Sequence, residues 1–124
     1  MCGIAGIVGA AGGPPVDLDR IRSMLAVIAH RGPDGHGLYR DDRVALGHVR
    51  LSIVDLAGGF QPLTGEDRSV WITFNGEIFN HVELRRELEA LGHRFATTSD
   101  TEVIVHAYEQ YGERAWPLLN GQFA

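Results

Sequence analysis

The sequence predicts a mixed α+β domain. Segments rich in β-branched and aromatic residues, such as Val70–Asn75, are separate from segments in which apolar residues recur at helical spacing, and cap or turn residues punctuate the two kinds. The order is strand, helix, a group of strands, then two helices, with no internal repeat or low-complexity tract. A chain of 124 residues, 44% of them apolar, is long enough for one domain with a real core. Its 16 glycines predict many turns and close backbone approaches.

Cys2–Val8 reads as a buried strand, with Gly3 and Gly6 allowing close approach, and Gly9–Pro15 as a turn-rich loop. Asp17 is placed to cap a helix reaching about His30, with Ile21, Met24, Leu25 and Ile28 on one face. Arg31-Gly-Pro-Asp-Gly breaks it. Gly37–Arg40 and Val44–Leu51 are predicted strands joined by the polar Asp41-Asp42-Arg43 turn, and Leu56–Glu66 is predicted loop. Val70–Asn75 is a predicted strand. Asn80 opens a helix with Glu83 at capping-box spacing, Leu84, Leu88 and Leu91 form its stripe, and Gly92 ends it. Arg94–Thr97 is a candidate short strand. Ser99-Asp-Thr-Glu102 is a second capping box, opening a helix with Ile104, Ala107, Tyr108 and Tyr111 on one face and Gly112 at its end.

Composition narrows the function. Eleven Lys+Arg against 16 Asp+Glu give a net charge of −5, which argues against nucleic acid or an anionic membrane surface as partner. Apolar runs such as Met24–Ala29 fall far short of the roughly 20 residues a membrane span needs. No basic region precedes an apolar segment at the N-terminus, so no signal peptide is expected. One cysteine cannot form an internal disulfide, and a reducing compartment, the cytoplasm, is the expected setting.

That cysteine is Cys2. Initiator methionine is commonly removed ahead of a small residue, and Cys2 would then carry both a thiol and a free α-amine. The thiolate is a strong nucleophile toward an acyl carbon. An α-amine titrates near about 7.7–8.0 and can take the thiol proton at neutral pH. Nucleophile and base then come from one residue. The plain alternative is a small buried apolar residue.

Acyl transfer also needs donors for a developing oxyanion. The Asn75 amide and the Gly76 backbone N–H are candidates, although Asn-Gly is equally a common turn. Arg50 interrupts a largely apolar strand; it either holds a carboxylate bidentately or lies on a solvated strand face. Asp100, in the first turn of a helix, either complements the helix dipole or accepts from a substrate ammonium, and Glu77 has a similar choice.

Taken together, MCGIAGI, HRGPDGHGLY (30–39), HVRLSIVDLAGGFQPL (48–63), FNGEIFNHVELRREL (74–88) and SDTEVIVHAYEQYG (99–112) resemble the class II, N-terminal-nucleophile glutamine amidotransferase domain. The motifs occur in the family's order across essentially the whole chain. HRGPDG, RLSIVD…QPL and NGEIFN look like the asparagine synthetase branch. The resemblance implies an αββα four-layer sandwich. It implies that Cys2 attacks the glutamine side-chain amide to give a γ-glutamyl thioester and ammonia, with its own α-amine as base. By the same resemblance Asn75 and Gly76 form the oxyanion hole and Arg50 holds the α-carboxylate. Leu51 and Ile53 line the pocket, and Glu77 and Asp100 receive the α-amino end. The His30–Asp34 loop and Gly58-Gly59 are implied to be structural or pocket-bordering.

The family's domain runs further than this chain. Residues 1–124 are therefore expected to be the N-terminal part of the amidotransferase domain, with the sandwich incomplete at its C-terminus. A synthetase domain, normally fused C-terminally and the user of ATP and Mg, is expected to lie outside these residues, and no cofactor is expected in this part. Unpaired sheet edges would favour association, a homo-oligomer included. The reading from a different class is a non-catalytic truncated remnant that binds glutamine or a partner. No metal site is expected, because the six histidines lack both a tight Cys/His cluster and H-x-x-x-H spacing. His30 and His106 are read as partly exposed helix residues, His36 and His81 as turn or cap residues, and Trp71 and Trp116 as core. No G-x-S-x-G is present to suggest a serine triad.

Overall fold

The computed structural model describes residues 2–52 and 59–123. The chain forms two compact units. The first extends to Ser52 and includes Phe60–Pro62 and Thr73–Asn75; the second holds Leu63–Ile72 and the chain from Gly76 onward.

The first unit is a three-stranded antiparallel sheet with one helix against it. Its elements are β1 (Gly3–Val8), α1 (Leu18–Ile28), a 3-10 turn over Ala29–Arg31, β2 (Gly35–Arg40) and β3 (Val44–Arg50). The strand order β1-β3-β2 makes β3 central. Register pairs Gly3 with Val49 and Val8 with Val44 on one side of β3, and Gly35 with Arg50 on the other. The β2–β3 turn closes on Asp41, whose Oδ1 accepts from the Arg43 and Val44 amides, both at 2.7 Å. Asp17 caps α1 by accepting from the Asp19 amide at 2.9 Å. Ile21 and Leu25 are buried where α1 packs on β1 and β3. Val16, Ile21 and Ala45 centre the core, with Ala5, Ile7 and Leu18 packed around them.

The second unit pairs β4 (Leu63–Thr64) with β5 (Trp71–Ile72), and β6 (Gly76–Ile78) with β7 (Gly121–Phe123), both antiparallel. Its helices are α2 (His81–Ala90) and α3 (Asp100–Tyr111), which pack together, followed by a 3-10 stretch over Gly112–Leu118. Leu84 and Leu88 of α2 are buried, as expected, while Leu91 is exposed. Ser99 caps α3, its hydroxyl accepting from the Thr101 amide at 3.2 Å. Every residue of α3 from Asp100 to Ala107 is buried, polar and apolar faces alike.

Several expected elements differ, and in each case the backbone finds another partner. Only Trp71–Ile72 of the Val70–Asn75 segment is paired as strand. Beyond it the Phe74 amide donates to Gln61 Oε1 at 2.6 Å and the Thr73 hydroxyl to the Gly47 carbonyl at 3.2 Å. Arg94–Thr97 is not a strand, because its amides bind carboxylates: Arg94 donates to Glu66, and Ala96 and Thr97 donate to Glu102. Glu102 therefore does not close a box on Ser99, whose amide donates to the Thr97 hydroxyl instead. Asn80 makes no side-chain cap; its Nδ2 donates to the Leu118 carbonyl and its Oδ1 accepts from the Asn120 amide, both at 2.9 Å. The expected loop over 56–66 contains β4, and His36 lies within β2. Trp116 is half-exposed, stacked on Tyr108 with ring centroids 5.4 Å apart. Among the described residues no helix is long and apolar enough to cross a membrane.

Candidate active site

Cys2 directly precedes β1, and the β1–β3 register sets it beside the end of β3. Its half-buried sulfur accepts from the Leu51 amide at 3.3 Å and its thiol donates to the Leu51 carbonyl at 3.5 Å. The backbone is held as well, since Arg31 Nε donates to the Cys2 carbonyl at 3.1 Å.

The same loop grips the neighbouring strand end. Pro33 bridges to Arg50, the Asp34 amide donates to the Arg50 carbonyl at 3.0 Å, and Asp34 Oδ2 accepts from the Ser52 amide at 2.7 Å. Gly32 makes this possible: a Cβ there would stand 2.3 Å from the Val49 carbonyl carbon and 2.4 Å from the Arg50 nitrogen. The His30–Asp34 motif thus fixes the backbone on both sides of the thiol. Arg31 and Asp34 had no assignable bond in the sequence; the charged residues flanking Gly-Pro were the available signal.

Arg50 is 5% exposed, so the solvated-strand reading of it is excluded. Its guanidinium carbon lies 4.6 Å over the Phe60 ring. His48, two residues earlier on β3, is 1% exposed. Burial holds its pKa down to about 4, with the Arg50 charge adding to the effect and a hydrogen bond to the Phe74 backbone opposing it. Asn75 is half-buried and belongs to the same unit. Ile53 lies outside the described residues.

The remaining predicted residues belong to the second unit. Gly76 opens β6 opposite Phe123, and exposed Glu77 lies opposite Gln122. The Asn75-Gly76 step is therefore the entrance to a paired strand and not an isolated turn. A Cβ on Gly76 would meet the Gln122 carbonyl oxygen at 2.3 Å. Asp100 is the first residue of α3 and 7% exposed; its Oδ2 accepts from the Ile78 amide at 2.8 Å. So Cys2, Arg50 and Leu51 are brought together in one unit, and Gly76, Glu77 and Asp100 in the other.

None of these residues belongs to the one group of potential metal ligands among the described residues, Glu66, His93, His106 and Glu109. His106 is fully buried, not partly exposed, because α3 is enclosed on all sides over that stretch.

Residues 1–124 match the family described as "Glutamine amidotransferase domain". The chain belongs to that family. The domain is 52% identical over 104 residues to asparagine synthetase [glutamine-hydrolyzing] 1 of Bacillus subtilis, covering 84% of this chain and 16% of that protein. It is 46% identical over 124 residues to asparagine synthetase [glutamine-hydrolyzing] 2 of rice (Oryza sativa subsp. japonica), covering 100% of this chain and 21% of that protein. The chain thus spans about a fifth or less of the length of these relatives. Among solved structures, the glutamine phosphoribosylpyrophosphate amidotransferase of B. subtilis, complexed with ADP and GMP, superposes with a TM-score of 0.77 at 23% identity, covering 98% of this chain and 34% of that one. The domain has the fold of that amidotransferase, in line with the mixed α+β class the sequence predicts.

Proposed function

We propose that this domain hydrolyses glutamine to glutamate and ammonia through Cys2. With Met1 removed, the Cys2 α-amine takes the thiol proton and the sulfur attacks the side-chain amide carbon of glutamine. The oxyanion that forms is received by the Asn75 amide and the Gly76 N–H. The α-ammonium returns its proton to the leaving nitrogen, releasing ammonia and leaving a γ-glutamyl thioester. Water, deprotonated by the same amine, then attacks the thioester and frees glutamate and the thiol. Arg50 receives the substrate α-carboxylate, Leu51 and Ile53 border the pocket, and Glu77 and Asp100 receive the α-ammonium. For Asp100 the oxygen that serves is the one not engaged by Ile78.

The observation that carries this reading is the family match across residues 1–124 with the chain's one cysteine at its second position. The relatives' names extend the proposal. The ammonia feeds asparagine synthesis from aspartate, in a C-terminal synthetase part that uses ATP and Mg, in the cytoplasm. Arg31 and Asp34 act as positioning residues for the thiol and for Arg50.

The test is direct. Protein whose intact mass shows loss of Met1 is given glutamine, and glutamate and ammonia are followed. One of each per glutamine is expected. No turnover by a full-length, Met-processed enzyme with Cys2 intact would leave the non-catalytic reading standing.

A further inference from the structure

We infer that Glu66, His93, His106 and Glu109 form a zinc site that ties α3 to the loop before it and to the β4–β5 loop. The four residues come from three separate stretches of chain, and one ligand atom from each lies within 4.8 Å of all the others. His93 Nδ1 and His106 Nδ1 are 3.1 Å apart, His106 Nδ1 is 3.2 Å from Glu109 Oε2, and His93 Nδ1 is 3.9 Å from the same oxygen. A tetrahedral zinc with bonds of about 2.0–2.1 Å sets its ligand atoms roughly 3.3 Å apart.

The outer nitrogens of both rings give an independent indication. His93 Nε2 is 3.0 Å from Gln110 Oε1, and His106 Nε2 faces Glu102 Oε1 at 3.5 Å, with no better partner. Glu102 faces the ring as an acceptor, its carboxylate already taking the Ala96 and Thr97 amides and the Thr97 hydroxyl. In the tautomer that carries both ring protons on Nε2, toward these oxygens, both Nδ1 lone pairs face inward. Ligating histidines are oriented in this way by their outer partners. Two lone pairs and a carboxylate oxygen converging at such distances repel one another unless a cation lies among them.

Charge balance points the same way. His106 is fully buried, with Glu102 Oε1 3.5 Å from its Nε2 and Glu109 Oε2 3.2 Å from its Nδ1. Glu109 Oε1 is buried without a hydrogen bond. Buried anions in such a cluster require a paired cation or a metal. Two imidazoles and two carboxylates suit zinc, and four protein ligands make a closed, structural centre. Exposed Glu66, with one oxygen taken by the Arg94 amide, stands at the entrance.

The full chain, stripped with a chelator and titrated with zinc chloride alone, tests this by calorimetry and metal analysis. One zinc per chain is expected, with a rise in melting temperature and a tetrahedral cobalt spectrum on substitution. His93→Ala and Glu109→Gln should each weaken zinc binding at least about 100-fold, while Glu83→Gln leaves it unchanged. If His93→Ala does not fold, His93→Cys should bind cobalt with a thiolate charge-transfer band. Absence of saturable binding by the folded chain overturns the site, as does binding undiminished in His93→Ala and Glu109→Gln, or a His93→Cys chain without that band. A melting temperature indifferent to zinc would show that a shared proton fills the place instead.

Discussion

The Leu51 amide nitrogen lies 3.3 Å from the Cys2 sulfur, so the backbone at the end of the central strand aims at the thiol. Such a bond positions the sulfur and contributes little to stability. Cys2→Ala is expected to lower glutamate release by at least about a thousandfold, as loss of a nucleophile does. Its unfolding free energy should stay within about 1 kcal/mol of the parent, the scale of one weak hydrogen bond. Stopped turnover with an unchanged urea midpoint is the expected result; a collapse of both would make Cys2 a folding residue.

Asp100 has two separable tasks. Its carboxylate accepts from the Ile78 amide, and its charge is the feature proposed to hold an ammonium. Asp100→Asn can keep the neutral acceptor and should raise the KM for glutamine about 10-fold or more with a small effect on melting. Asp100→Ala also orphans the Ile78 amide and should cost about 1–3 kcal/mol of stability. Equal KM values for the parent and Asp100→Asn would remove Asp100 from substrate binding.

Gly76→Ala puts a methyl group 2.3 Å from the Gln122 carbonyl oxygen and 2.5 Å from Phe123 Cβ. The β6–β7 pair must part or shift. A loss of about 1–3 kcal/mol is expected, with faster amide exchange at Glu77 and Gln122, the pair that the antiparallel ladder hydrogen-bonds. Unchanged exchange there would mean that the two strands yield without separating.

Acid titration should reveal His48. The unfolded residue binds its proton near pH 6.5, whereas in the fold burial lowers the pKa to about 4. Neutral His48 therefore contributes fully above pH 6.5; stability falls as the pH drops from 6.5 toward 4 and levels off below. The full difference is about 3 kcal/mol. His48→Gln should flatten the unfolding free energy across that window, and a slope identical to the parent's would assign the proton uptake elsewhere.

Much of this was legible in the sequence because the deciding contacts are local. Asp17 and Ser99 cap helices within two residues of themselves, and the Asp41 side chain closes its own turn. What escaped depends on distant partners. Gln61 takes the Phe74 amide that a longer strand would have used, and Glu102 takes the amides of Ala96 and Thr97. The partner of β6 lies at Gly121–Phe123, too far along the chain for an Asn-Gly step to announce. At the candidate site, Cys2 and Arg50 were singled out by motif order. The clamp made by Arg31 and Asp34 was not, since it binds backbone and leaves no pattern among side chains. His93 and His106 are 13 residues apart on different elements, and only packing around α3 brings their rings together.

The pairing of Gly76 with Phe123 orders events during synthesis. Everything in the first unit has been made by the time Asn75 leaves the ribosome, so the thiol and its clamp can assemble early on the nascent chain. The strand carrying Gly76 and Glu77 must wait, unzipped, until Phe123 has been translated.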